Sequence, residues 1–422
     1  MFASTVPTIQ PLSDHLTLRS ISAHAEIERL AAFNRAVHDE QNIDTLTRYL
    51  ILHHPNAHPD YWLYVEDSAT GEIVSSLCLI PWTWRYEEVE LRAGEMGIVG
   101  TLPAYRNRGL IRAQDRRFKE LLRDFDLSQI QGIPYFYRQF GYEYAIPLEG
   151  GWRVEAHTIP DAPENAPRCA FRHATLADLP ALLRLYDEAA CDLSIRVVRD
   201  AAIWRYLLTH SPETGTAAET WLALDESNQP IGYWRIERFG FGEGLNVKEA
   251  SRLDRATAAA ALRQFKALAA ARGKPYVRLA LPPKHILIQT ARAWGAHDLG
   301  TYAWQIHVPD VARLLRKLAP ILERRLAASR FAGLTDTVLL NLYREAFALR
   351  FEDGQLFAVE SAGCQDKGSI RLPPPQFVPL VFGYRSREEL MSAHHDVSIW
   401  GESRALIDTL FPKVESYLYT IY

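Results

Sequence analysis

Along the first 155 residues the apolar and polar positions change period several times. Residues 61–66, Tyr-Trp-Leu-Tyr-Val-Glu, alternate as a strand does, and residues 73–79 read as its partner across turn residues 67–72. Residues 96–101 read as a buried strand in which Gly100 marks a bulge or a close backbone approach. A helix follows, with Ile111, Phe118, Leu121, Leu122 and Phe125 on one face. A strand over 127–133, a short turn of helix and Gly141-Tyr142 leading into a last strand close the segment.

The same order returns further on. A helix near 176–190 precedes a hairpin of residues 221–224 and 231–236, a long helix over 256–271 and a strand over 276–281. A helix over 285–294 and a strand over 302–306 follow. In both halves an aromatic-glycine pair, Phe140-Gly141 and Trp294-Gly295, sits just before the last strand, which reads as an old duplication of one fold. The final segment runs helix, sheet, helix. Asp310 is the expected N-cap of its first helix, Asp353-Gly354 the turn of a hairpin over 349–359, and Ser386-Arg-Glu-Glu389 a capping box. Pro160, Pro163 and Pro167 fill the stretch between the halves and block both helix and central strand. The expected organisation is therefore α/β (α+β) in three parts, 1–158, 169–308 and 309–422.

With 422 residues, 48% hydrophobic and 23% charged, the composition is that of folded globular chains and excludes a disordered or coiled-coil protein. The formal charge of −4 is too balanced for a dedicated nucleic-acid binder, and no apolar run is long enough for a membrane helix. Neither nucleic acid nor membrane is an expected partner. The start has no basic segment followed by an apolar core, so it does not read as a signal peptide. The four cysteines lie far apart, which argues against disulfides and zinc and for a reducing cytoplasm. Ten tryptophans and nineteen tyrosines read as core packing plus the surface of a homo-oligomer.

The stretch with the most chemistry is residues 98–112, Ile-Val-Gly-Thr-Leu-Pro-Ala-Tyr-Arg-Asn-Arg-Gly-Leu-Ile-Arg. It joins a strand to an amphipathic helix through Arg106-x-x-Gly109. A helix start offers unpaired N–H groups and about half a positive charge, Gly109 allows close approach, and Arg106, Arg108 and Arg112 add fixed charge. That set suits a pyrophosphate; a solvated basic helix start is the plainer alternative. Two parallel strands splayed at a bulge would leave a slot where a pantetheine arm adds its amides like another strand.

A second motif is residues 132–142, Gly-Ile-Pro-Tyr-Phe-Tyr-Arg-Gln-Phe-Gly-Tyr. Together with the arginine-glycine loop it resembles the GNAT acetyltransferases. More narrowly it is similar to their Enhanced intracellular survival (Eis) type, in which an active GNAT domain, a degenerate GNAT domain and a sterol-carrier-like domain share one chain. The resemblance covers nearly the full length and is strongest at 99–112 and 136–142. It implies acetyl-CoA as co-substrate, with the Val99 and Thr101 backbones on the pantetheine and Arg106, Asn107, Arg108 and Gly109 at the pyrophosphate. Gly132 falls at a further cofactor-contact position. The resemblance also implies Tyr137 as general acid and the carboxylate of Tyr422 as general base. The acceptor would be a primary amine on a small molecule or a lysine.

Those roles also suit the chemistry. Acyl transfer needs a neutral amine, a polarised thioester and a protonated leaving thiolate. On residues alone, Tyr137 also reads as one of a crowd of core aromatics. The apolar final stretch, Ser-Tyr-Leu-Tyr-Thr-Ile-Tyr, reads equally as a docked end or as a terminal strand. Ile111 stands where the motif usually ends in a small residue, Gly132 where a hydroxyl is common, and Asn107 where a basic residue is common. Residues 248–254, before the second long helix, contain no glycine, so the second part is expected to bind no acetyl-CoA. His53, His54, His58, His394 and His395 read as surface groups and no metal is expected, because Pro55 and Pro59 spoil helical ligand spacing. Residues 38–40, His-Asp-Glu, could form an acidic lip for a cationic amine or simply a solvated helix end. The rival function is a non-catalytic acyl-CoA sensor or a lipid carrier built on the last part.

Overall fold

The computed structural model describes residues 7–164, 169–240 and 242–422. The linker expected between the first two parts falls partly on residues 165–168, outside the described ones. In the first part, β1 (Ile9–Pro11), β2 (Leu16–Ser20), α1 (His24–Val37), α2 (Ile43–Leu52), β3 (Trp62–Asp67), β4 (Glu72–Tyr86) and β5 (Val89–Thr101) are followed by α3 (Leu110–Leu121), β6 (Leu127–Ile130) and β7 (Glu143–Leu148). β4 is buried along nearly its whole length, and its run of Cys78, Ile80, Trp82, Trp84 and Tyr86 faces one hydrophobic cluster. Leu77 and Leu79 face a second cluster under α3. A strand covered on both faces reads as a continuous apolar run, as this one does. Asn34 of α1 ties this face together: its amide donates to Thr47 of α2 at 3.0 Å and its carbonyl accepts from Ser76 of β4 at 2.9 Å.

The next elements are β8 (Trp152–Glu155), β9 (Ala170–His173), α4 (Leu179–Ala190), β10 (Ile195–Val197), α5 (Ala201–Thr209), β11 (Ala218–Leu224), β12 (Pro230–Glu237) and β13 (Leu245–Ala250). Then come α6 (Arg255–Ala271), β14 (Tyr276–Leu279), α7 (Ile286–Ala293), β15 (His297–Asp298) and β16 (Tyr302–His307). The sheets do not follow sequence order. The first runs β1-β2-β3-β4-β5-β6-β16-β7, with β10 added to β4, and the second runs β15-β8-β14-β13-β12-β11-β9. Each sheet thus takes a strand from beyond the linker: β16 lies between β6 and β7, and β8 between β14 and β15. The two chain segments cross at Gly150 and Gly151, both at positive φ. A Cβ on Gly150 would collide with the Gly300 carbonyl, and one on Gly151 with that of Leu279.

The last part carries α8 (Val311–Lys317), α9 (Ala319–Ala327), β17 (Asp336–Asn341), β18 (Ala346–Glu352), β19 (Gln355–Gly363), β20 (Ile370–Arg371), α10 (Pro374–Val381), α11 (Arg387–Ala393), β21 (Ser398–Ile399) and α12 (Ser403–Leu410). Asp310 caps α8 through the Arg313 N–H at 2.8 Å, and Ser386 and Glu389 form the capping box of α11. Beyond α12 the chain returns to the first two sheets. The Ser194 N–H donates to the Glu415 carbonyl at 2.8 Å and the Tyr417 N–H to that of Ile195 at 3.1 Å. Tyr417, Leu418, Tyr419, Ile421 and Tyr422 are all buried.

Gly151→Ala should lower unfolding free energy by about 2–3 kcal/mol, since it combines overpacking against backbone with a disfavoured φ. Urea denaturation measures this, and a variant as stable as the parent would show that the crossing can relax.

Candidate active site

The site grows from the parting of two parallel strands. β5 and β6 pair only through Ala93 with Leu127, Gly94 with Ser128 and Glu95 with Gln129. β5 then continues to Thr101, bonded among the described residues to β4 alone, and bends at Ile98, which has φ +47°. Val99, Gly100 and Thr101 are half-buried along this open edge. On the other lip, β6 ends at Ile130 and the chain turns at Pro134 and Tyr135.

At the far end of β5 the chain enters α3. Asn107 and Gly109 both have positive φ, Gly109 is the N-cap, and a Cβ there would meet nothing within 4 Å. Alternating backbone handedness of this kind gathers N–H groups into an anion-binding concavity at a helix start. The side chains of Arg106, Asn107 and Arg108 are exposed around it. Arg108 lies over the Tyr105 ring at 4.8 Å, and the Tyr105 hydroxyl donates to Asp67 at 2.7 Å. Buried Gln114 holds the helix down: it accepts from Ser75 at 2.7 Å and donates to the Leu63 carbonyl at 3.2 Å. Ile111, a departure from the motif, packs against the cluster under α3.

Tyr137 belongs to the same cluster. Its ring lies where a side chain on Gly132 would go, which explains the glycine at that position. The Gly132 carbonyl is fixed by the Tyr302 hydroxyl at 2.6 Å and the Gln305 amide at 2.9 Å, both from β16. The exchanged strand therefore builds the floor under Tyr137. The tyrosine hydroxyl has no hydrogen-bond partner among the described residues, and burial pushes its pKa well above the ordinary phenol value. It is held in the neutral form, the form that donates.

Tyr422 reaches the splay from the opposite face, within the cluster that includes Ile27, Phe33 and Trp82. Its ring meets Trp82 edge-on at 6.1 Å, and its hydroxyl donates to Glu95 Oε1 at 2.8 Å. Glu95 is the last β5 residue paired with β6. Burial raises its pKa to about 8, although the Tyr422 hydroxyl and the Trp82 indole pull it partly back. The structure thus places Val99 and Thr101 on the open edge of β5 and packs Tyr137 against Gly132 beyond the end of β6. It docks Tyr422 against the strand that forms one edge, and places Arg106, Asn107, Arg108 and Gly109 at the end of that strand.

Glu95, Tyr302 and Gln305 were not legible as site residues. The signal available was a glutamate among small and apolar residues in Ala-Gly-Glu-Met-Gly-Ile, residues 93–98. Of the histidines, His54 is buried, not a surface group as expected. Its ring faces the Ile421 backbone, and burial lowers its pKa to about 4. His53 stacks on His210 with ring centroids 4.1 Å apart. His38 packs against β5 close to Gly100.

Residues 18–145 match the acetyltransferase (GNAT) domain family. The chain carries an acetyltransferase domain, and the open edge and helix start described above lie within the matched segment. Among solved structures it is similar to a GCN5-related N-acetyltransferase from Anabaena variabilis, with 15% identity, TM-score 0.66 and coverage of 96% of this chain and 99% of that one. It is similar to a conserved protein of unknown function from Enterococcus faecalis, described as a probable N-acyltransferase, with 14% identity, TM-score 0.70 and coverage of 99% and 100%. It is also similar to Eis1 from Mycobacterium abscessus, with 16% identity, TM-score 0.61 and coverage of 96% and 99%. At these identities the likeness is one of fold. No curated protein matches the chain.

The Glu95 carboxyl binds its proton more tightly folded than unfolded, so its contribution to stability is present below about pH 4.5 and is lost as pH rises through about 8. Unfolding free energy should therefore carry a term that falls by roughly 1.4 kcal/mol per pH unit in that window. Glu95→Gln should abolish that slope. Denaturation series at several pH values measure it, and identical slopes in both proteins would mean that Glu95 is ionised in the fold.

Proposed function

We propose that this chain transfers an acetyl group from acetyl-CoA directly to a primary amine, with Tyr137 as general acid and the carboxylate of Tyr422 as general base. The observation that supports the reading is the parting of β5 and β6 after Glu95, with the α3 start at the end of the open edge, Tyr137 against Gly132 and the Tyr422 hydroxyl on Glu95. Leu110, Ile111 and Arg112 supply the unpaired N–H groups of a helix start, and Arg106 and Arg108 supply charge for the diphosphate. The open edge of β5 offers backbone groups to the pantetheine amides.

In the reaction a C–N bond forms and the C–S bond breaks. The terminal carboxylate takes a proton from the attacking amine, and Tyr137 gives one to the leaving sulfur. A thiol has a pKa of about 8.5, so proton transfer from a buried phenol runs uphill and depends on close alignment. The ring contacts of Tyr137 with Phe136, Phe140 and Tyr142, at centroid distances of 5.0 to 6.3 Å, supply that alignment. The acceptor is the amine of a small molecule or of a lysine.

In this reading residues 1–158 form the active GNAT domain, 169–308 a degenerate copy and 309–422 a sterol-carrier-like domain. A feature of the second sheet supports its degeneracy. Its β13 and β14 are also parallel, but Asp254 caps α6 and accepts from the Thr257 N–H at 2.7 Å. A carboxylate at the helix start repels the diphosphate that Gly109 admits.

Tyr137→Phe should lower kcat by about 10²–10⁴ with the KM for acetyl-CoA little changed. Thiol release with a panel of a polyamine, an aminoglycoside and a lysine peptide reads both constants. Wild-type turnover in the variant removes the acid role. Two glycines appended after Tyr422 should cost a comparable factor in kcat while the denaturation midpoint holds. An unaffected extended protein would require another base.

A further inference from the structure

Beside the second sheet, whose α6 is capped by Asp254, lies a fully buried charged cluster that touches the chain's last residues. Arg199 precedes α5, Arg235 lies on β12 and Glu249 on β13, and all three side chains are inaccessible. Arg199 grips Glu249 through both nitrogens of its fork, at 2.6 and 2.9 Å. The nitrogen that makes the longer of those bonds also donates to the Thr420 carbonyl at 2.6 Å. The same guanidinium lies over the Tyr419 ring at 5.9 Å. The tail therefore meets one buried cation at two consecutive residues.

Two arginines on one carboxylate leave a net positive charge in the interior, which is costly as a purely stabilising device. Glu249 would be satisfied without Arg199, since Tyr233 donates to it at 2.7 Å and Arg235 approaches at 3.5 Å. Arg199 is what connects the cluster to the tail. Thr420 is two residues before Tyr422, whose hydroxyl is held by Glu95 of the first sheet. The last three residues are thus fixed at one end by Arg199, which Glu249 of the second sheet grips, and at the other by Glu95 of the first sheet. A carboxylate on a free chain end samples many positions, and an error of about 1 Å in a reacting group can cost on the order of 100-fold in rate.

We propose that Arg199 is a positioning residue for acetyl transfer: by holding Thr420 and Tyr419 it aims the terminal carboxylate of Tyr422 at the opening between β5 and β6, and the second sheet contributes Glu249, which holds Arg199 in place. The inference rests on the base role proposed for Tyr422.

Arg199→Met removes the tail contact and leaves Glu249 and Arg235 as a neutral buried pair, so the fold is expected to survive. Arg199→Lys, which keeps the cation but reaches only one acceptor, serves as the second variant and takes over if the methionine form does not fold. Two readouts are taken on proteins with matched denaturation midpoints: steady-state thiol release from acetyl-CoA with the best amine of the panel, and hydrogen exchange of amides 417–422 without any ligand. The expected result is a kcat lower by on the order of 100-fold, a KM for acetyl-CoA within about twofold, and faster tail exchange, with lysine intermediate. Unchanged kcat overturns the proposal whatever the exchange shows, and so does a lowered kcat with unchanged tail protection. Deletion of Tyr422, run alongside, separates the two claims. Wild-type kcat in the deletion variant removes the base role itself. An inactive deletion variant beside an Arg199→Met of wild-type kcat removes only the positioning role.

Discussion

After the Glu95–Gln129 pair, β5 and β6 no longer bond to each other, and everything proposed for this chain depends on that parting. Backbone N–H and C=O groups on a strand edge need partners, and among the described residues β5 runs on to Thr101 with only β4 beside it. An extended ligand bearing amides can supply those partners, and an anion at its end can rest on the start of α3. The parting is itself enforced. β16 enters beside β6, bonds Gln305 opposite Ile130, and anchors the Gly132 carbonyl through Tyr302 and Gln305. Elements far apart in sequence therefore fix the width of one opening.

Much of the local structure was legible from residue patterns. The amphipathic α3, the hairpin at Asp353-Gly354, whose two residues both adopt positive φ, and the caps at Asp310 and Ser386 form where the pattern places them. These features depend on neighbours within a few positions. The bend in β5 falls at Ile98, two residues before the glycine that hinted at it. Gly100 instead gives room to Val37 and His38 of the α1 end, so it does mark a close approach.

What was not legible is long-range. Alternation identifies β8 and β16 as strands but not their sheets, because a strand's pattern records which faces are buried and not which edge it joins. The exchange at Gly150 and Gly151 requires knowledge of what crosses there. In the same way Glu95, Arg199 and Glu249 look like ordinary charged residues until the fold buries them. The tail shows the two possibilities left open by its apolar sequence resolved in favour of docking: Ser416 forms a single bridge to Ile195, and the residues beyond it pack into the first core cluster without joining a sheet.

Hydrogen exchange with and without coenzyme A tests the central claim most directly, since it reports on individual backbone amides and needs no acceptor amine. The proposed site predicts slowed exchange in two segments, residues 99–101 on the open strand edge and residues 107–112 at the helix start. Saturating coenzyme A that leaves both segments unchanged, or protects only the second sheet, would contradict it.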